Sequence, residues 1–203
     1  MKQFFVFLFL IAFGLASCNN DKKSSANETE DKIQKEDADN EDEGIKDENT
    51  AEKDMEKRIE ALKKLQPYTL EQLKTLLPQE MNGANRKNYN AHSALGYAVV
   101  QADYAKNDSN SMQISIYDCA GEAGAGFYTM NFWSKMNFQQ ETDNGYTKTI
   151  GFMDGRAVES YDKNSKQATL QFVSGDRLLI MMTGTNMTAD ELKTAAQKMS
   201  FKI

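Results

Sequence analysis

Residues 146–183 read YTKTIGFMDGRAVESYDKNSKQATLQFVSGDRLLIMMT. Four short runs rich in β-branched, aromatic and aliphatic residues stand out in it: Tyr146–Phe152, Arg156–Tyr161, Gln167–Val173 and Arg177–Thr183. Between them lie only Asp154-Gly155, the stretch Asp162 to Lys166, and Gly175-Asp176, residues that favour tight reversals. Tight reversals make neighbouring strands antiparallel, so this stretch predicts a meander.

On the N-terminal side, Met112, Ile114 and Ile116 alternate with Gln113, Ser115 and Tyr117, and Ser93–Ala105 is rich in Tyr, Val and small residues. Period-two alternation of this kind predicts two more strands, joined through the polar turn Lys106–Asn110. Gly83 and its Asn-rich surroundings suggest a turn into an extended segment near Arg86–Tyr89. Helical spacing is different. Met55, Ile59, Leu62 and Leu65 predict an amphipathic helix over Glu52–Gln66, stopped by Pro67, and Thr69 caps a short helix through Leu70, Leu73 and Leu76 before Pro78. Between the two groups of strands, Glu122–Gln140 reads as an aromatic and Met-rich helix, and Thr188 caps a last one over Ala189–Met199. The expected fold is α+β: an antiparallel sheet of about six strands covered by helices, in a single domain over residues 52–203.

Upstream the composition changes. From Asn19 to Lys57 there are fifteen Asp or Glu against seven Lys, a net of −8, whereas residues 58–203 carry sixteen basic against fifteen acidic residues, a net of +1. A segment so charged and so poor in apolar residues cannot offset the entropy of ordering itself, so residues 18–51 are expected to be a disordered acidic tether. Without a basic face, nothing in the folded part argues for nucleic acid. Calcium buffering by the tether would need an organised loop that these scattered carboxylates do not form.

The first residues carry an address. Lys2 precedes an apolar run from Phe4 to Phe13, too short for a membrane span, and Leu15-Ala16-Ser17-Cys18 closes it. This resembles the signal and lipobox of bacterial lipoproteins, and the Phe-rich signal followed by a charged stretch is similar to lipoproteins of Bacteroidota. The resemblance implies removal of residues 1–17, acylation of Cys18 and a membrane anchor through lipid alone. A plain secretory signal, with Cys18 an ordinary thiol, is the rival reading. Asn19 and Asn20 stand where an inner-membrane retention signal would place Asp, which implies attachment to the outer membrane of the cell envelope, with surface and periplasmic sides both open. The element order, with the run Thr183–Met187 before the last helix, also resembles PsbP-like sandwich domains.

Candidate chemistry is sparse. Cys119 and His92 are the thiol and imidazole available for a nucleophile and its base, but Cys119 follows an apolar strand, where an inert buried thiol is the ordinary outcome. Gly121, Gly124 and Gly126 sit between a strand and a helix as phosphate loops do, yet their spacing fits no such fingerprint, and close packing explains them. Met130, Met136, Met153, Met181, Met182 and Met187 could ligate soft copper or simply fill the core. Asp162 begins a stretch that starts like a calcium loop but has Lys166 where a ligand is needed. Trp133 and its neighbours could line an apolar pocket or be core. No catalytic, cofactor-binding or metal-ligating residue is assigned, and the site expected is lipidation at Cys18. The functional expectation is a lipid-anchored envelope domain, without catalysis, that binds an envelope protein or a small molecule. A membrane-anchored inhibitor or immunity-type protein, and a hydrolase using Cys119 and His92, are the alternatives.

Overall fold

The computed structural model describes residues 48–107 and 109–203. The lipobox, Cys18 and nearly all of the acidic segment lie outside them. Among the described residues nine strands form one antiparallel sheet: β1 (Glu80–Met81), β2 (Ala84–Ala94), β3 (Tyr97–Ala105), β4 (Ser111–Asp118), β5 (Gln139–Thr142), β6 (Gly145–Phe152), β7 (Gly155–Asp162), β8 (Gln167–Ser174) and β9 (Leu178–Thr185). Their order is β1-β2-β3-β4-β9-β8-β7-β6-β5, so β4 and β9 meet at the centre and two meanders spread outward from them.

The α+β class stands; the strand number is nine rather than about six. The additional strands are β1, β5 and most of β2, of which the sequence suggests only an extended segment near Arg86–Tyr89; they are largely polar, and β5, Gln139-Gln140-Glu141-Thr142, is fully exposed. Backbone pairing with an existing sheet edge holds them, a force that leaves no alternation of apolar residues to read. The run Ser93–Ala105, expected as one strand, is broken by a two-residue turn at Leu95-Gly96, where φ is 51° and 85°. Leucine in that conformation is strained, which is why no turn was legible there.

Alternation along the central strands sorts side chains onto two faces. On one, Val100, Ile114, Ile116, Leu170, Phe172, Ile180 and Met182 pack under α2 (Leu70–Lys74) and α4 (Ala189–Gln197), which contribute Leu73 and Leu192. On the other, Leu179 and Cys119 pack against Met55 and Leu62 of α1 (Glu48–Lys63) and Tyr128. Helix α1 begins four residues before the expected start, burying Ala51, and ends at Lys63, because residues just before Pro67 resist helical ψ.

Instead of an α-helix over Glu122–Gln140, the chain makes one α-turn, α3 (Gly121–Gly124), then a 3-10 helix over Ala125–Lys135. Its buried residues are Ala125, Tyr128, Asn131 and Ser134, three apart as a threefold helix requires. Sheet side chains hold it: Gln171 donates to the Met130 carbonyl and Thr149 to that of Trp133. Gly124 is fixed by contact, since a Cβ there would lie 2.7 Å from the Asp118 carbonyl oxygen.

Candidate functional site

The hairpin β1–β2 turns through Asn82 (φ 52°) and Gly83 (φ 76°), a conformation those two residues accept at little cost. At the same end of the sheet the β3–β4 connection is organised by Asn107, whose side-chain oxygen accepts from the N–H groups of Ser109 and Asn110. Asn110 and Asn186 then exchange bonds across the gap: Asn110 donates to the Asn186 carbonyl and Asn186 to that of Ser109. This fixes the run from β9 into α4. The helix starts with a capping box in which Thr188 and Glu191 satisfy each other's backbone N–H groups.

Between these pieces lies a cleft of about 660 Å3. Its floor is apolar, built from Met81, Ala84, Tyr104, Met112 and Met187, and its rim carries Glu80, Lys106, Asp190, Glu191 and Lys198. Tyr104 is fully buried, donates to the Pro78 carbonyl at 2.8 Å, and burial pushes its hydroxyl up to about 12, so it remains a neutral donor. Lys198 reaches from α4 to Asn82 at 2.7 Å and closes one side. Gly184 seats the other. A Cβ there would meet Met187 at 2.9 Å and Leu192 at 3.0 Å, so the α4 entrance lies flat on β9 only over glycine.

Helix α4 also covers a buried carboxylate. Glu159 accepts from the Tyr146 hydroxyl at 2.8 Å and pairs with Lys193 at 2.9 Å and Lys148 at 3.5 Å, and Lys193 also meets Asp190 on the cleft rim at 2.8 Å. Burial raises the Glu159 carboxyl, but the bonds from Lys193 and Tyr146 and the two lysine charges outweigh it and leave the group below its usual value. Tyr146 moves the opposite way, up to about 12, through burial first and the Glu159 bond and charge second.

A second buried carboxylate closes the opposite end of the sheet. Asp118 is fully buried and accepts four bonds: two from Arg177 at 2.7 and 2.9 Å, one from the N–H of Tyr68 at 2.6 Å and one from Ala120 at 3.1 Å. The Arg177 guanidinium lies 3.4 Å over the Tyr68 ring and also donates to Gln66. With both Asp118 oxygens bonded, this clasp is structural: it pins the α1–α2 connection to the ends of β4 and β9. Both carboxylates were readable in principle. Asp118 and Glu159 occupy core-facing positions in register with Ile114 and Ile116 and with Ala157, where a charge needs a partner.

Cys119 is fully buried, and burial above all pushes its thiol up to about 12, opposite to what an activated nucleophile needs. His92 sits exposed on β2, edge-to-face with Tyr97 at 6.2 Å between ring centroids. Nothing brings these two together. Met182 is core, Met187 lines the cleft, and Met130 and Met153 are about half exposed at 46% and 47%. Asp162 caps a turn, accepting from Ser165. Trp133 is 53% exposed, edge-on to Phe132 and tilted against Phe138, outside both core clusters and the cleft. Among the described residues no three His, Cys, Asp or Glu side chains gather as metal ligands, and no helix is long and apolar enough to cross a membrane. The chain matches no family model, no curated protein and no solved structure.

Proposed function

We propose that this chain is a lipid-anchored protein of the cell envelope whose folded part binds a partner or small ligand in the cleft under α4, without catalysis. The cleft itself carries the reading. An apolar floor with a buried, neutral tyrosine beneath a rim of both charges suits a ligand that inserts an apolar group and leaves a polar one at the mouth. The Leu15–Cys18 signal supplies the anchor. The buried, high-pKa thiol of Cys119 lends the hydrolase alternative no support.

A photoreactive phenylalanine at Thr194, on the α4 wall, tests the cleft in intact cells, with the same residue at the exposed Lys57 of α1 as control. The expected result is a discrete adduct from position 194, absent from position 57 and lost when Ala84→Phe fills the floor. Equal adducts from both positions, or an adduct indifferent to Ala84→Phe, would remove the cleft from the account.

A further inference from the structure

The two edges of the sheet are unlike. At one, β5 is four residues long, carries Glu141 and runs into Asp143, a short and charged edge of the kind that discourages further pairing. At the other, β1 covers β2 only at Ala84 and Asn85. Residues 89–94, Tyr-Asn-Ala-His-Ser-Ala, follow with no proline, no carboxylate or lysine, and no bulge; the one irregularity of β2 lies earlier, between Arg86 and Asn88.

The register shows which backbone groups this edge presents. Ala94 and Tyr97 close the two-residue turn and so exchange both backbone bonds. Counting back in twos, His92, Asn90 and Asn88 also face β3, and Tyr89, Ala91 and Ser93 aim N–H and C=O outward. Beyond the bulge, Arg86 points outward too, donating to Gln79. Among the described residues, nothing pairs with the outward groups of Tyr89, Ala91 and Ser93.

We infer that the outer edge of β2 pairs antiparallel with β2 of a second copy of this chain, about a twofold axis at Ala91. The edge is complementary to itself in this register. Ala91 faces Ala91, Tyr89 faces Ser93, and the three outward residues of each copy exchange six backbone hydrogen bonds. Asn90 lies opposite His92 on the exposed face. The cations are separated: Arg86 and Lys87 of each copy arrive at the neutral Leu95-Gly96 turn of the other. Gly96 packs beside Ala123, which places the exposed Glu122 near that incoming lysine. Pairing also gives Leu95 a use. It is 91% exposed in a strained left-handed conformation, and in the dimer its side chain lies along the aliphatic stem of Lys87.

The test traps the register. In the full chain carrying Cys18→Ala, Asn90→Cys together with His92→Cys places thiols opposite each other across the twofold, at a non-hydrogen-bonded pair of suitable spacing. Oxidation with copper-phenanthroline is expected to give a covalent dimer, at least about fivefold more than from either single variant. Adding Ala91→Pro removes the central outward N–H without touching the ladder to β3, and is expected to cut that dimer about tenfold in a chain of unchanged circular dichroism. No dimer from the double variant, equal yield from a single variant, or a yield indifferent to Ala91→Pro in a folded chain overturns the inference. Should Ala91→Pro fail to fold, the double-against-single comparison still decides.

Discussion

Two buried side chains show how surroundings set chemistry at the scale of one residue. Cys119 is held among Met55, Leu62, Tyr128 and Leu179, with its thiol near 12 against an ordinary 9.0. Thiolate is the reactive form, so the native protein should react with iodoacetamide on the order of a thousandfold more slowly than the unfolded chain. Mass spectrometry before and after urea checks this. For Glu159 the expected effect depends on pH. Its folded value lies below the ordinary 4.5, so its contribution is complete above about that pH and is lost as pH falls through the depressed folded value. Glu159→Gln should therefore cost about 2 kcal/mol near neutrality, where charged hydrogen bonds are lost, and the gap to the parent should close as both are acidified. Thermal melts of the two proteins from pH 7 to pH 3 decide it; a gap constant across that range would mean that packing, and not ionisation, is what Glu159 supplies.

At the scale of elements, α1 and the 3-10 helix act as one cover. Met55 and Leu62 of α1 meet Ala125 and Tyr128 of the 3-10 helix over Leu179, closing a second core on the face away from α4. Leu62→Ala should cost about 2–5 kcal/mol by denaturant titration, the range for a fully buried leucine that leaves a cavity. The element boundary matters as much. A chain beginning at Glu48 keeps α1 whole and should melt with the parent, whereas one beginning at Leu65 loses the cover and should bind a hydrophobic dye. The β2–β3 hairpin gives a prediction of opposite sign. Leu95→Asn places a residue tolerant of the left-handed turn and should raise stability by about 1 kcal/mol while lowering the yield of the β2-linked dimer. A lower melting point would show that Leu95 already packs within its own copy.

Over the whole molecule, charge is divided between segments. The net −8 between Asn19 and Lys57 and the net +1 over residues 58–203 put the acidity upstream of the sheet. If Cys18 carries acyl chains, Cys18→Ala should shift the protein from the membrane pellet to the soluble fraction, because a segment so acidic has no attraction for an anionic surface. Retention of the variant after a carbonate wash would assign the anchor to something other than lipid. Pairing through β2 would join two nine-stranded sheets into one.

What the sequence by itself determined is the part written in local patterns. The four strands of the meander, the strand β4, the capped α4 and the α+β class follow from period-two alternation, turn residues and caps, each contained in a few neighbouring residues. Tertiary structure decided the rest. The strands β1 and β5 and the full length of β2 exist because an edge offered them backbone partners; beyond the Gly83 turn and the extended segment near Arg86–Tyr89, their mostly polar side chains record little of it. The 3-10 form of Ala125–Lys135 depends on which residues the sheet grips: aromatic and Met residues promised an apolar helix face, yet Met130 and Trp133 face solvent while Asn131 and Ser134 are buried. The cleft drew Met81, Tyr104, Met112 and Met187 from four separate places in the chain, and Asp118 found Arg177 across 59 residues. Contacts of that separation are set by the order of strands in the sheet, which no local window of sequence contains.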